Sequence, residues 1–412
     1  MSLRKHVVRA RLPKVVASEA GAKREHGRPH VLALDGLRGL AIGLVILIHF
    51  TLYLGMTEKT LVDRLVNRVF LTGWCGVDLF FTLSGFLITG ILLDTKGFDR
   101  PLYNFYGRRF LRIFPPYYLF LTIYLVVIAH LLPPPLFAPE LPYQAWYWTY
   151  FANVRVAIQG WRDPVLVHFW SLAVEEQFYL VWPFVVLATD RTTLGRLCVG
   201  MLAIALGLRV TCWALKMPEA AYALTPCRMD SLAAGACVAV LQRSAVAPET
   251  MLYWAKRIGG AAAACLGIII VVRRGLTHFD PVVYTLGITL VALASASLVV
   301  GAVFAGERAG IQRALRTGWL RAMGRYSYGM YIIHVPVLCL MLLVRADLRN
   351  VKPIGGNLAP WLLLQTTVGG IVIFLIALAS WHLYEKRLIG LKRYFEDRPR
   401  AAAAVAASSA TE

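Results

Sequence analysis

Charge is scarce in this chain, and acidic charge scarcer still. Only 16% of its 412 residues are Asp, Glu, Lys or Arg, and 43 basic residues stand against 23 acidic ones. Soluble domains carry about a quarter charged residues, so an ordinary water-facing surface is excluded. Cysteine is sparse and dispersed. Cys75, Cys198, Cys212, Cys227, Cys237, Cys265 and Cys339 lie mostly within apolar runs. They make no Cys-x-x-Cys pair, no metal-ligand spacing and no disulfide framework, so they read as small core residues and no metal site is expected. Residues 1–33 are basic but lack the apolar core and small-residue cleavage site of a signal peptide, and read as a disordered cytoplasmic arm. The Ala-rich tail, 392–412, reads as disordered and cytoplasmic too. No internal repeat relates the two halves.

Apolar residues are abundant instead: 58% of the chain is hydrophobic, and the mean hydropathy is +0.60. Apolar runs of about twenty residues match the thickness of a bilayer's hydrocarbon core. The fold class expected is therefore an all-α membrane protein, a bundle of about ten transmembrane helices. The runs fall near residues 34–54, 74–94, 113–132, 167–188, 196–215, 228–242, 258–272, 281–304, 326–344 and 360–384, the sixth and seventh being short and rich in Gly and Ala. Basic residues crowd alternate connections: before Leu34, then Lys96 to Arg112, Arg308 to Arg325, and Lys386 to Arg393. This positive-inside bias puts both termini in the cytoplasm. The net charge of +20 then reflects topology and anionic membrane lipids as partners, with no nucleic acid implied.

Chemistry has to come from polar residues that interrupt the spans, because an ionisable group in a bilayer normally faces a protein interior or a watery cavity. Arg38 and His49 lie in the first span, eleven residues apart. Eleven helical steps turn roughly 20° past three full turns and rise about 16 Å, so both share one face at different depths, with Asp35 flanking. Asp78 and Ser84 interrupt the second span, toward its outer half. Arg108, Arg109 and Arg112 form a cationic patch at the cytoplasmic start of the third, suited either to lipid headgroups or to the phosphates of a cytosolic cofactor. The fourth carries Trp170, Ser171, Glu175 and Glu176. Adjacent helix positions point about 100° apart, so one of the two carboxylates faces the cavity and the other a neighbouring helix. Arg228 and Asp230 open the sixth span and suit either a cavity or mutual neutralisation. Tyr331 and His334 share a face of the ninth.

Together these segments resemble the acyltransferase 3 family. The resemblance rests on Leu34 to Leu40 with His49, Phe80 to Phe86, Arg109 to Pro115, Trp170 to Tyr179, Arg228 to Gly235, Ser327 to His334 and Tyr384 to Lys386, in that order. It spans about 34–391, the expected transmembrane domain. It implies a membrane O-acyltransferase that moves an acyl group, usually acetyl, from acyl-CoA to a hydroxyl of a glycan such as an exopolysaccharide, a lipopolysaccharide or a lipid-linked sugar. It also implies essential roles for Arg38, His49, the arginines opening the third span and the acidic Trp-Ser-Leu motif, in a bacterial cytoplasmic (inner) membrane. Fused members carry an extracytoplasmic hydrolase-like domain with a Gly-Asp-Ser motif that is absent from this chain. Either a separate extracytoplasmic transferase completes the reaction as partner, or the membrane domain acylates its acceptor directly.

The residues fit that chemistry. Acyl transfer needs a base or nucleophile, a binder for the donor's phosphates and a stabiliser for the developing oxyanion. His49 is the expected base or transient acyl carrier, and Arg38 with Arg108, Arg109 and Arg112 the expected holder of coenzyme A. Glu175 or Glu176 would orient His49 or the acceptor hydroxyl. Aromatic residues from Tyr143 to Trp161 suit either sugar stacking or a membrane-interface belt. The competing readings are acylation of a small secondary metabolite such as a macrolide sugar and, outside enzymes, a proton-coupled transporter.

Overall fold

The computed structural model describes residues 31–131, 141–162, 164–344, 348 and 351–397. Among the described residues there is no β-strand, and ten helices are long and apolar enough to cross a membrane: Leu32–Leu54, Leu61–Thr95, Pro101–Leu131, Phe169–Ala188, Arg191–Ala214, Pro218–Gln242, Pro248–Arg273, Val283–Phe304, Gly318–Leu343 and Ala359–Phe395. The protein is an integral, multi-pass membrane protein. The number of spans is the expected one, but several begin earlier than hydropathy implies, three of them led by proline. The third starts at Pro101 rather than 113, the sixth at Pro218 rather than 228, and the seventh at Pro248 rather than 258. Each has proline in its first turn, where the missing N–H costs nothing and the fixed φ favours a helical start. Polar residues in those opening turns, such as Arg108 and Arg109, depress hydropathy without ending the helix.

The first span lies at the centre and packs mainly on the ninth and second, and the second packs on the sixth. Glycine sets both crossings. A Cβ on Gly324 would stand 1.8 Å from the Asp35 carbonyl oxygen, and one on Gly85 would stand 1.8 Å from that of Leu232. Only a residue without a side chain lets these backbones touch. This close approach brings Arg38 and His49 on the first span, Ser84 on the second and Tyr331 on the ninth to one interior.

The second candidate span begins with a helix the sequence reading did not foresee. Leu61–Leu71 is amphipathic, exposing Leu61, Val62, Leu65 and Val69 while burying Asp63. Asp63 Oδ1 accepts the backbone N–H groups of Leu358 and Ala359, each at 2.8 Å, and so caps the start of the tenth span. At the other end, Gly390–Phe395 forms a last helical turn. Asn104 donates to the Glu396 carbonyl at 3.1 Å. The folded chain thus passes the expected boundary at 391. The expected arm, apart from 31–33, and the tail beyond 397 lie outside the described residues.

Candidate active site

Two cavities meet inside the bundle. One, termed inner after the cytoplasmic side expected for the third span's arginines, is about 100 Å³ and is bordered by Arg38, Arg109, Arg112, Glu175 and Glu176. Arg38 is held by its helical neighbour Asp35 at 3.0 Å, which aims the guanidinium from the first span. Arg109 stacks over the Tyr179 ring, 5.2 Å from its centroid. Ser84 Oγ donates to Glu175 Oε1 at 2.6 Å and accepts from the Tyr179 hydroxyl at 2.9 Å. The site therefore combines three cations with two carboxylates, and both Glu175 and Glu176 border the cavity instead of dividing between cavity and helix contact.

The outer cavity is roomier, about 550 Å³, and mostly aromatic. Trp161, Trp170 and Tyr222 converge with ring centroids 5.1 to 6.0 Å apart. His278 packs on Tyr222 at 4.7 Å. Burial, reinforced by the nearby Arg228 charge, pushes the His278 imidazole down to about 3, so it is neutral at ordinary pH. Trp74 is fixed by a 2.8 Å bond from its indole N–H to the Leu276 carbonyl. His49 also lines this cavity. Its Nδ1 lies 2.8 Å from the Val45 carbonyl; since a carbonyl only accepts, Nδ1 carries the hydrogen and Nε2 keeps the lone pair.

Between the cavities stands a thin septum. Val77 and Tyr331 border both sides. The Tyr331 hydroxyl is hydrogen-bonded to Ser171 Oγ, and Tyr331 also donates to the His168 carbonyl at 3.2 Å. Trp170 faces the outer cavity and its neighbour Ser171 the inner, so the Trp-Ser-Leu motif straddles the partition.

The remaining candidates hold this arrangement together. Arg228 does not pair with Asp230. It bonds Asp78 on the second span at 2.9 Å, and Ser231 Oγ donates to the same carboxylate oxygen at 2.6 Å. Asp230 is taken by Arg209 of the fifth span at 2.7 Å. All four charged side chains are fully buried. Positions two apart on a helix point about 200° apart, which is why mutual neutralisation fails. Arg228 also lies over the Tyr222 ring at 4.7 Å, bracing the outer cavity's aromatic wall.

Two further expectations are corrected. Arg108 leaves the cationic cluster: it bonds the Phe395 carbonyl at 2.7 Å and pairs with Asp397 at 2.8 Å, clasping the chain's end. Glu175 and Glu176 do not orient His49; they border the opposite cavity, with the arginines. His49 is instead approached by His334 and by His168, which sequence reasoning missed although it stands directly before the Phe-Trp-Ser-Leu run. Tyr222 and His278 were missed as well, since no spacing ties them to the motifs.

Comparison with known proteins gives a consistent picture. Residues 31–382 match a family model described as an acyltransferase domain. The peptidoglycan O-acetyltransferase OatA of Listeria monocytogenes is 27% identical over 339 residues, 76% of this chain and 50% of the relative. A putative peptidoglycan O-acetyltransferase of Bacillus subtilis, YrhL, is 28% identical over 386 residues, 88% of this chain and 55% of the relative. A putative O-acetyltransferase of Staphylococcus aureus is 25% identical over 334 residues, 75% and 51% of the two chains. The chain thus spans about half the length of the curated relatives it matches. No solved structure shows significant similarity to it.

Proposed function

This chain belongs to the acyltransferase 3 family, and from that premise we propose that it moves an acetyl group from cytosolic acetyl-CoA to a hydroxyl of a cell-envelope glycan, across a bacterial cytoplasmic membrane. Membership of an enzyme family that transfers acyl groups sets aside the proton-coupled transporter. The observation that carries the proposal is the pair of adjoining cavities, one cationic and one aromatic, with Val77 and Tyr331 lining both.

In this reading Arg38, Arg109 and Arg112 hold the phosphates of coenzyme A, a task for which planar guanidinium forks are suited. The thioester carbonyl then lies toward the septum. A sugar ring lies against Trp161 and Tyr222 in the outer cavity, presenting its hydroxyl to His49 Nε2. His49 takes the hydroxyl proton as the oxygen attacks the carbonyl carbon. The acyl–sulfur bond breaks, the acyl–oxygen bond forms, and the thiolate leaves as the free thiol after collecting that proton. In this reading Tyr331 donates to Ser171 Oγ, which frees the Ser171 hydrogen for the carbonyl oxygen as it gains charge.

The test is direct acyl transfer. The purified protein, in lipid nanodiscs with acetyl-CoA and a peptidoglycan oligosaccharide, is expected to yield an acetyl ester on the sugar, detected by mass spectrometry. Release of free acetate and coenzyme A with no ester on that or any other glycan supplied would count against a glycan acceptor.

A further inference from the structure

Three imidazoles gather beside the outer cavity: His49 and His168 line it, and His334 is fully buried next to them. The His49 and His334 ring centroids are 4.6 Å apart, those of His334 and His168 also 4.6 Å, and those of His49 and His168 6.5 Å. Each ring spends one nitrogen on a main-chain carbonyl: His49 Nδ1 on Val45 at 2.8 Å, His168 Nε2 on Ile332 at 3.1 Å and His334 Nδ1 on Tyr331 at 2.6 Å. A carbonyl only accepts, so in each neutral ring the other nitrogen keeps a lone pair. For His168 Nδ1 and His334 Nε2 that lone pair is buried with no hydrogen-bond partner. A buried polar atom left unpaired is destabilising, so two such atoms beside the expected base call for an explanation.

The surroundings of His49 supply one. The titratable groups that line its cavity are Tyr53, Arg162, His168, Tyr222, His278 and Tyr331, with no carboxylate among the described lining residues. In a Ser-His-Asp triad a carboxylate stabilises the imidazolium formed when the base takes its proton. His49 has no such partner, whereas its two ring neighbours each hold an unpaired basic nitrogen.

We propose that His168 and His334 share with His49 the proton taken from the acceptor hydroxyl, the three rings acting as one base. This rests on the reading of His49 as the base. The balance is closed: the O–H and acyl–S bonds break, the acyl–O and S–H bonds form, and the cluster returns to three neutral rings once the proton reaches the sulfur. His168 and His334 are positioning residues, acting through His49.

The experiment is a proton inventory. Single-turnover acetyl transfer from acetyl-CoA to a peptidoglycan oligosaccharide is followed in H2O–D2O mixtures with the full chain in nanodiscs. The wild type is expected to give a curved dependence on deuterium fraction, because more than one proton moves. His334→Gln and His168→Gln should each straighten that dependence, with a rate loss below the about 10²–10⁴-fold expected for removing the base itself, and leave the acetyl-CoA KM unchanged. Imidazole added to His334→Ala should recover rate. A straight line in the wild type, or wild-type curvature in both Gln variants, overturns the proposal, and the wild-type result decides it even if a variant fails to fold. Full activity in His49→Ala would overturn the base reading as well. An inactive His49→Ala beside a straight wild-type line would overturn the sharing alone.

Discussion

In the proposed reaction His49 and the arginines of the inner cavity do different work, and their substitutions should separate in kinetics. Replacing His49 by Ala removes the base from the reacting centre, and kcat should fall by about 10²–10⁴ with the protein still folded; purified enzyme under saturating acetyl-CoA measures this. Arg109→Gln and Arg112→Gln take a fork from the inner cavity and should raise the acetyl-CoA KM more than they lower kcat, the mark of lost uniform binding. Arg108→Gln is the internal control. Its guanidinium is engaged by Asp397 and Phe395, so its KM should match the wild type, and a rise equal to that of Arg109→Gln would return Arg108 to the donor site. Arg38 and His49 were legible in the sequence as a pair on one helix face. Their separation into two cavities was not, because a rise of about 16 Å along one face says nothing of the septum that neighbouring helices insert between them. His168 was illegible for a related reason: its partners come from the first and ninth spans.

At the scale of the helices, the bundle is keyed by glycine crossings and by two buried ion pairs. Breaking one buried pair from a single side leaves an uncompensated charge, at a cost of about 3–5 kcal/mol. Asp78→Ala should therefore lower the thermal unfolding midpoint sharply, and Asp78→Leu combined with Arg228→Met should recover much of the loss, since well-packed apolar replacements of such pairs are often tolerated. Thermal unfolding of the detergent-purified variants decides it; equal loss in the single and double variants would show that the pair is not the source. Helix identity and order were legible from apolar runs of about twenty residues. Helix starts were not, since proline-led opening turns carry polar residues that hydropathy scores as loop. The partners of Arg228 and Asp230 were hidden because both come from other helices, the second and the fifth.

Across the whole molecule, the proposed reaction divides the labour of the cavities between two faces. The positive-inside expectation would put the cationic cavity on the cytoplasmic side, with acetyl-CoA, and the aromatic cavity on the outer side. The sequence carried this polarity in its loops and motifs, while the order of groups along the path emerged only from packing. Glu175 and Glu176 stand with the arginines, and His49 stands beyond the septum. In the proposed reaction donor and acceptor approach from opposite sides. Sealed vesicles containing the protein, in an orientation fixed by protease access, put this to the test when acetyl-CoA is supplied only to the side of the arginine cavity and a peptidoglycan oligosaccharide only to the other. Acetyl ester is expected on the sugar under this arrangement and none when the two substrates are exchanged. Product formed only when both substrates share the arginine side would contradict it.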